Sequence, residues 1–164
     1  QLNRLIRQKA HKNSRFLACM ARNALLRTPP LGFFKDFVME TDGRQTNSIN
    51  MKRRGTAPIA DLVRLHALAV GSSARNTFER LEDIIEAGIL PPGRGLDVRD
   101  ALEFIAMVRI RHQALDIEFK REPDNNIEPE HLSDFDRKNL KEAFQILSSA
   151  QRFMKFRYQP GRAN

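Results

Sequence analysis

With 164 residues, 41% of them hydrophobic and 29% charged, the chain has the composition of an ordinary globular domain able to bury a core. No apolar run approaches the roughly 18 residues that span a bilayer, and the first residues are too polar and basic for a signal peptide. One cysteine, Cys19, excludes an internal disulfide and fits a reducing cytoplasm, while no Trp and a single Tyr leave little to stack on nucleic-acid bases.

The net charge of +8 belongs to the two ends. Seven basic residues and no acid occupy 1–27, and four more (Arg152, Lys155, Arg157, Arg162) occupy 151–164, so of the 28 Lys and Arg, 17 remain in the middle against 20 acids. The chain also begins at Gln1 rather than Met, which reads as a segment of a longer polypeptide.

Residues 2–27 carry neither Gly nor Pro and predict one long basic helix, stopped by Thr28-Pro29-Pro30. Leu2, Leu5, Ile6, Leu17, Met20, Ala21, Ala24 and Leu25 form its apolar side. Arg4, Arg7, His11, Arg15 and Arg22 form a second stripe, either a solvated face or a face for a polyanion or an acidic neighbouring domain. Pro30–Met39 reads as a turn and then a strand. With the Asp42-Gly43 turn and the alternation through Ser48-Ile49-Asn50-Met51-Lys52, it predicts a small hairpin over 36–52. The pattern then breaks at Gly55 and Pro58 and restarts as a helix over 58–70. Lys52, Arg53 and Arg54 would sit at that break, beside outward-facing N–H groups, as a solvated basic turn or a place for an anion.

Asn76 and Glu79 predict a capping box opening a third helix that turns Leu81, Ile84 and Ile85 inward and ends at Gly88. After an exposed Pro91–Gly95 loop, Asp97 is expected to cap a fourth helix to about Arg121, with Leu115 and Phe119 among its buried residues. Residues 122–129 read as a polar connection with two prolines. Ser133 then caps a last helix from Asp134 to about Tyr158, with Leu140, Phe144, Leu147, Ala150, Phe153 and Met154 inward, and 159–164 as a frayed tail. The fold class is all-α: an antiparallel bundle of about five helices with a β-hairpin near 36–52, in one domain over 1–158.

Catalytic constellations are missing. Gly71-Ser72 is followed by a helical pattern rather than by a carboxylate pair, and Asp134-Phe135-Asp136 falls in the first turn of a helix, so no two-metal carboxylate centre is expected here. Cys19 reads as a buried structural thiol, His112 and Asp116 as an exposed helix pair, and His11, His66, His112 and His131 as too scattered for a zinc site. Arg64, Arg80 and Arg109 are either planar donors for phosphate or carboxylate, or partners of Asp61, Glu79 or Glu82 that hold helices in register.

Five blocks in order, PLGFFKDFV, NMKRRGTAPIADLVRLHAL, NTFERLEDIIEAGIL, RIRHQ and PDNNIEPEHLS, carry a resemblance from about Pro30 to Tyr158. The chain resembles the substrate-binding domain that follows a polymerase-β-like nucleotidyltransferase domain in bacterial signalling proteins, which often carry CBS or cyclic-nucleotide-binding domains upstream. It is more distantly similar to the helical domain of PII-protein uridylyltransferases and glutamine synthetase adenylyltransferases, although those tend to have two Gly at the turn where this chain has Gly55. The resemblance implies a part of an enzyme whose catalytic carboxylates lie upstream of this chain. It further implies magnesium and a nucleoside triphosphate for the full-length protein, with no cofactor expected in this chain. It implies as partners the upstream catalytic domain, a nucleotide and an acceptor, and leaves a homodimer open. It points to Lys52, Arg64, Arg109, Gln113, Asn125 and Asn126 as substrate-binding candidates, with Lys52, Arg64 and Arg109 sharing one hollow in a cleft wall. Two further functions compete: a dimerisation or interaction module, and a nucleic-acid-binding domain, which the mildly acidic middle and scarce aromatics disfavour.

Overall fold

A computed structural model describes residues 2–32, 36–42 and 45–159. Phe33, Phe34, the Gly43 of the expected hairpin turn and residues 160–164 of the expected tail lie outside the described residues, as do the side chains of Leu2, Arg4 and Arg7. Six α-helices make up most of it: α1 (Leu2–Ala10), α2 (Ser14–Ala24), α3 (Ala57–Val70), α4 (Thr77–Glu86), α5 (Arg94–Glu118) and α6 (Asp134–Tyr158). Three short strands, β1 (Glu40–Asp42), β2 (Gln45–Asn50) and β3 (Asn126–Ile127), form an antiparallel sheet in the order β1-β2-β3. The mainly helical class with a small hairpin is therefore as the sequence indicates.

The expected long N-terminal helix is two helices. Between Arg7 and Arg15 there is no apolar residue large enough to hold a continuous helix against the core, and Asn13 ends the run: its Oδ1 accepts the Phe16 N–H at 2.9 Å and starts α2. The basic stripe is thereby divided, with His11 exposed in the link and Arg15 and Arg22 exposed on α2. Leu17, Ala21 and Ala24 face the core, and Cys19, two residues from Leu17, falls on the outer side and is exposed rather than buried.

α5 lies along α6, α3 packs on α4, and α2 closes over α3 and α6. The shared core contains Ile49 and Met51 from the sheet end, Ile59, Leu62, Val63 and Leu65 from α3, Leu81 and Ile84 from α4, Val98, Leu102, Ile105 and Val108 from α5, and Leu140, Phe144, Leu147 and Met154 from α6. On α6, Ala150 and Phe153 are only partly buried. The caps of α4 and α6 follow the expectation: Asn76 Oδ1 accepts from Glu79 N–H at 2.9 Å, Ser133 Oγ from Asp136 N–H at 3.1 Å, and Gly88 closes α4 at φ +63°. Asp97 does not cap α5; Gly93 does so at φ +80°, and Asp97 sits within the first turn, 3.6 Å from Arg94. Ile85 is also more open than expected, at 37% exposure.

Candidate functional site: the corner between the sheet and two helices

Asn50 ends β2 and opens a helix without a break. Its Oδ1 accepts the Arg53 N–H at 2.9 Å, and a π-helical turn over Lys52–Thr56 runs directly into α3. The expected break at Gly55 and Pro58 is absent: the π turn and α3 form one continuous helical run, with Pro58 just past their junction. Gly55 is buried: a Cβ there would stand 2.6 Å from Ile105 Cγ2 and 3.5 Å from Phe144 Cε1. A glycine thus lets the π turn lie flat on α5 and α6.

The polar connection after α5 supplies β3, an element absent from the sequence reading. Ile49 pairs with Ile127 and Asn50 with Asn126, and Met51 N–H donates to Asn125 C=O at 2.8 Å. Ile127 is buried and anchors the pairing. Asp124 Oδ1 accepts the Asn126 N–H at 2.7 Å, an Asx turn that shapes the approach. Asn125 and Asn126 are thereby brought to the start of the π turn, some 70 residues away in sequence.

α5 completes the corner. Arg109 lies one turn beyond Ile105 and donates from Nη1 to Thr56 Oγ1 at 3.1 Å. Gln113, one turn further, approaches Asn125 Oδ1 at 3.4 Å, a long contact. Two atoms of this corner, Arg109 Nε and Asn126 Oδ1, are buried without a hydrogen-bond partner among the described residues. Buried polar atoms are ordinarily paired. Lys52 is exposed on the π turn that supplies Thr56.

Arg64 is elsewhere. It follows Thr56 by eight residues along α3, about 12 Å of helix, and pairs with Asp61 at 3.1 Å, as does Arg27 at 2.8 Å. It lines a hollow of about 510 Å³ with Arg75, Arg80, Ser72, Ser73, Ala67, Leu68 and Ile6, and a second of about 290 Å³ with Arg27 and Asp61. Neither includes Lys52 or Arg109. Arg80 is used internally, donating from Nε to Ala74 C=O at 3.2 Å.

The end of α5 departs furthest from the sequence reading. Leu115 and Phe119 are 43% and 64% exposed, whereas Asp116 is 5% exposed. His112 Nε2 lies 3.3 Å from Asp116 Oδ2 and 3.5 Å from Asp124 Oδ1, so His112 and Asp116 are not an exposed pair. Asp134 and Asp136 have separate partners: Asp134 is exposed beside Arg137, and Asp136 pairs with Arg111 at 3.1 Å. They do not fit a two-metal catalytic centre.

His66, on α3, is a core residue. It is fully buried, Nδ1 lies 2.9 Å from Tyr158 Oη, and burial, aided by the nearby Arg157 charge, pushes its pKa down to about 4. Burial raises the Tyr158 hydroxyl above its usual range, against the lowering effect of Arg157.

A family model described as "Putative nucleotidyltransferase substrate binding domain" matches residues 14–158. The chain belongs to this family. No curated protein and no solved structure matches it. The matched span holds α2 to α6, the sheet and every residue of the corner, and leaves α1 outside. Among the described residues, no helix is long and apolar enough to cross a membrane.

Proposed function

We propose that this domain forms one wall of a nucleotidyltransferase cleft and positions a substrate through the corner of Lys52, Arg109, Gln113, Asn125 and Asn126. The observation that carries this reading is convergence. Residues from three separate sequence blocks meet at one end of the sheet, and two of their buried polar atoms await a partner. Arg109 offers a planar donor fork for phosphate or carboxylate, with one Nη tied to Thr56 and Nε buried without a partner. Gln113 and the two asparagines add neutral donors and acceptors. Such a surface contributes by holding reactants in line, a large part of phosphoryl-type transfer. Magnesium and the nucleoside triphosphate would be held by a catalytic domain of the parent polypeptide, and the whole would serve signalling in the cytoplasm, a setting that the single free thiol suits.

The test uses the parent protein with magnesium and each of the four ribonucleoside triphosphates. Arg109→Ala is expected to lower kcat/KM for transfer by at least about tenfold, since a charged hydrogen bond of roughly 1.5–3 kcal/mol is lost. Arg75→Ala, in the separate arginine-lined hollow, is expected to leave it unchanged. The reverse ranking would move the substrate to that hollow and overturn the assignment.

A further inference from the structure

The last two turns of α5 invert the usual polarity of a bundle. Leu115, Ile117 and Phe119 are all exposed, while the residue among them turned inward is Asp116, at 5% exposure. Burying a carboxylate in place of a neighbouring leucine or isoleucine is unfavourable unless something positive meets it. Arg121 does so on one side only: its Nε and Nη2 both approach Oδ1 at 3.0 Å. Oδ2 is buried without a hydrogen-bond partner and is aimed at His112 Nε2, 3.3 Å away.

From the other side Asp124 Oδ1 reaches the same nitrogen at 3.5 Å, and the three ligand atoms lie within 4.8 Å of one another. A lone pair on Nε2 facing two carboxylate oxygens would be repulsive, so Nε2 carries either a hydrogen or a metal ion. A proton on Nε2 can point at only one of the two oxygens; a metal ion serves both. The two spacings to histidine, 3.3 and 3.5 Å, suit the metal, because ligands about 2.0–2.1 Å from a tetrahedral ion stand about 3.3–3.4 Å apart. Arg121 holds Asp116 from behind through Oδ1, as outer-shell groups hold metal ligands, and Asp124 Oδ1 itself accepts the Asn126 N–H, which fixes its position.

We propose that His112, Asp116 and Asp124 bind one divalent transition-metal ion of the zinc type, through His112 Nε2 and one oxygen from each carboxylate. One imidazole with two carboxylates suits zinc better than magnesium, which takes oxygen ligands and keeps its waters. His112 and Asp124 are partly exposed, so a fourth position opens to solvent. The ion ties the end of α5 to the segment that supplies Asn125 and Asn126. This site does not depend on the substrate reading above.

The experiment is calorimetric titration of zinc chloride into the whole chain after chelator treatment and dialysis, in a Cys19→Ser background that removes the exposed thiol. One equivalent is expected to bind with micromolar or tighter affinity and to raise Tm, with no heat from magnesium chloride. Cobalt(II) chloride is expected to give the intense visible absorption of a tetrahedral site. His112→Gln and Asp124→Asn, both at partly exposed positions and checked for fold by circular dichroism, are each expected to weaken zinc by more than about 100-fold, beyond the 10–100-fold typical of losing an outer-shell group. Absence of saturable zinc binding, or an affinity unchanged in both variants, overturns the site.

Discussion

Replacing Gly55 with Ala tests how the corner is assembled. The added methyl would sit 2.6 Å from Ile105 Cγ2, about an ångström inside ordinary carbon–carbon contact. Ile105 is fully buried and Phe144, the next neighbour at 3.5 Å, is fully buried as well, so neither can swing aside. Overpacking of a filled core costs about 1–3 kcal/mol, and the gain from replacing a helical glycine returns roughly 0.5–1. The net loss is centred a little above 1 kcal/mol, within a range of about 0–2.5, or a Tm lower by about 3–5 °C at the centre for a domain of this size. Gly95→Ala is the matched control. Its methyl collides more closely still with an isoleucine, Ile85, but that side chain is 37% exposed, so a rotamer change of about 0.5–1.5 kcal/mol, largely offset by the helical gain, relieves it without repacking the core. Its stability is expected to stay within about 0.5 kcal/mol of the parent. Paired thermal and urea melts decide the matter. If Gly55→Ala is as stable as the parent, or Gly95→Ala loses more, the close approach of the π turn to α5 is not what the glycine provides.

Two further outcomes follow from the core and the caps. Because the folded-state pKa of His66, about 4, lies below its unfolded value of 6.5, the unfolded chain takes up that proton first as pH falls. The contribution of His66 is complete above pH 6.5 and shrinks by up to about 3 kcal/mol as pH drops toward 4; urea melts from pH 7.5 to 4.5 should lose less stability in His66→Phe than in the parent, and equal slopes would count against the buried neutral histidine. Ser133→Ala removes the hydroxyl that accepts from Asp136 N–H, and is expected to cost about 1 kcal/mol in the same melts while Ser133→Asp costs far less.

The elements that the sequence made legible are those with a strong period and a local signal. α3, α4 and α6 were bounded by Gly71, Asn76, Gly88 and Ser133, each of which acts within a few residues of itself. β3 was not legible, because two residues among Pro, Asp and Asn have no strand period of their own and pair only through Ile127 and the backbone of β2. The burial of Asp116 was hidden for a related reason. Spacing along α5 places Leu115 and Phe119 as readily on an inner face, and only the loop returning with Asp124 and Arg121 decides which side is covered. Of the six candidate substrate residues, the family blocks identified them, but which would meet was a matter of tertiary packing: Arg64 and Arg109 sit in equally plausible sequence contexts and end in different places.

Hydrogen-exchange mass spectrometry of the parent protein, with and without nucleoside triphosphate and magnesium, bears most directly on the substrate assignment. Slower exchange is expected in peptides covering 50–56, 109–113 and 124–127, with little change over 64–80. Protection confined to 64–80, or none at either place under conditions that support transfer, would contradict it.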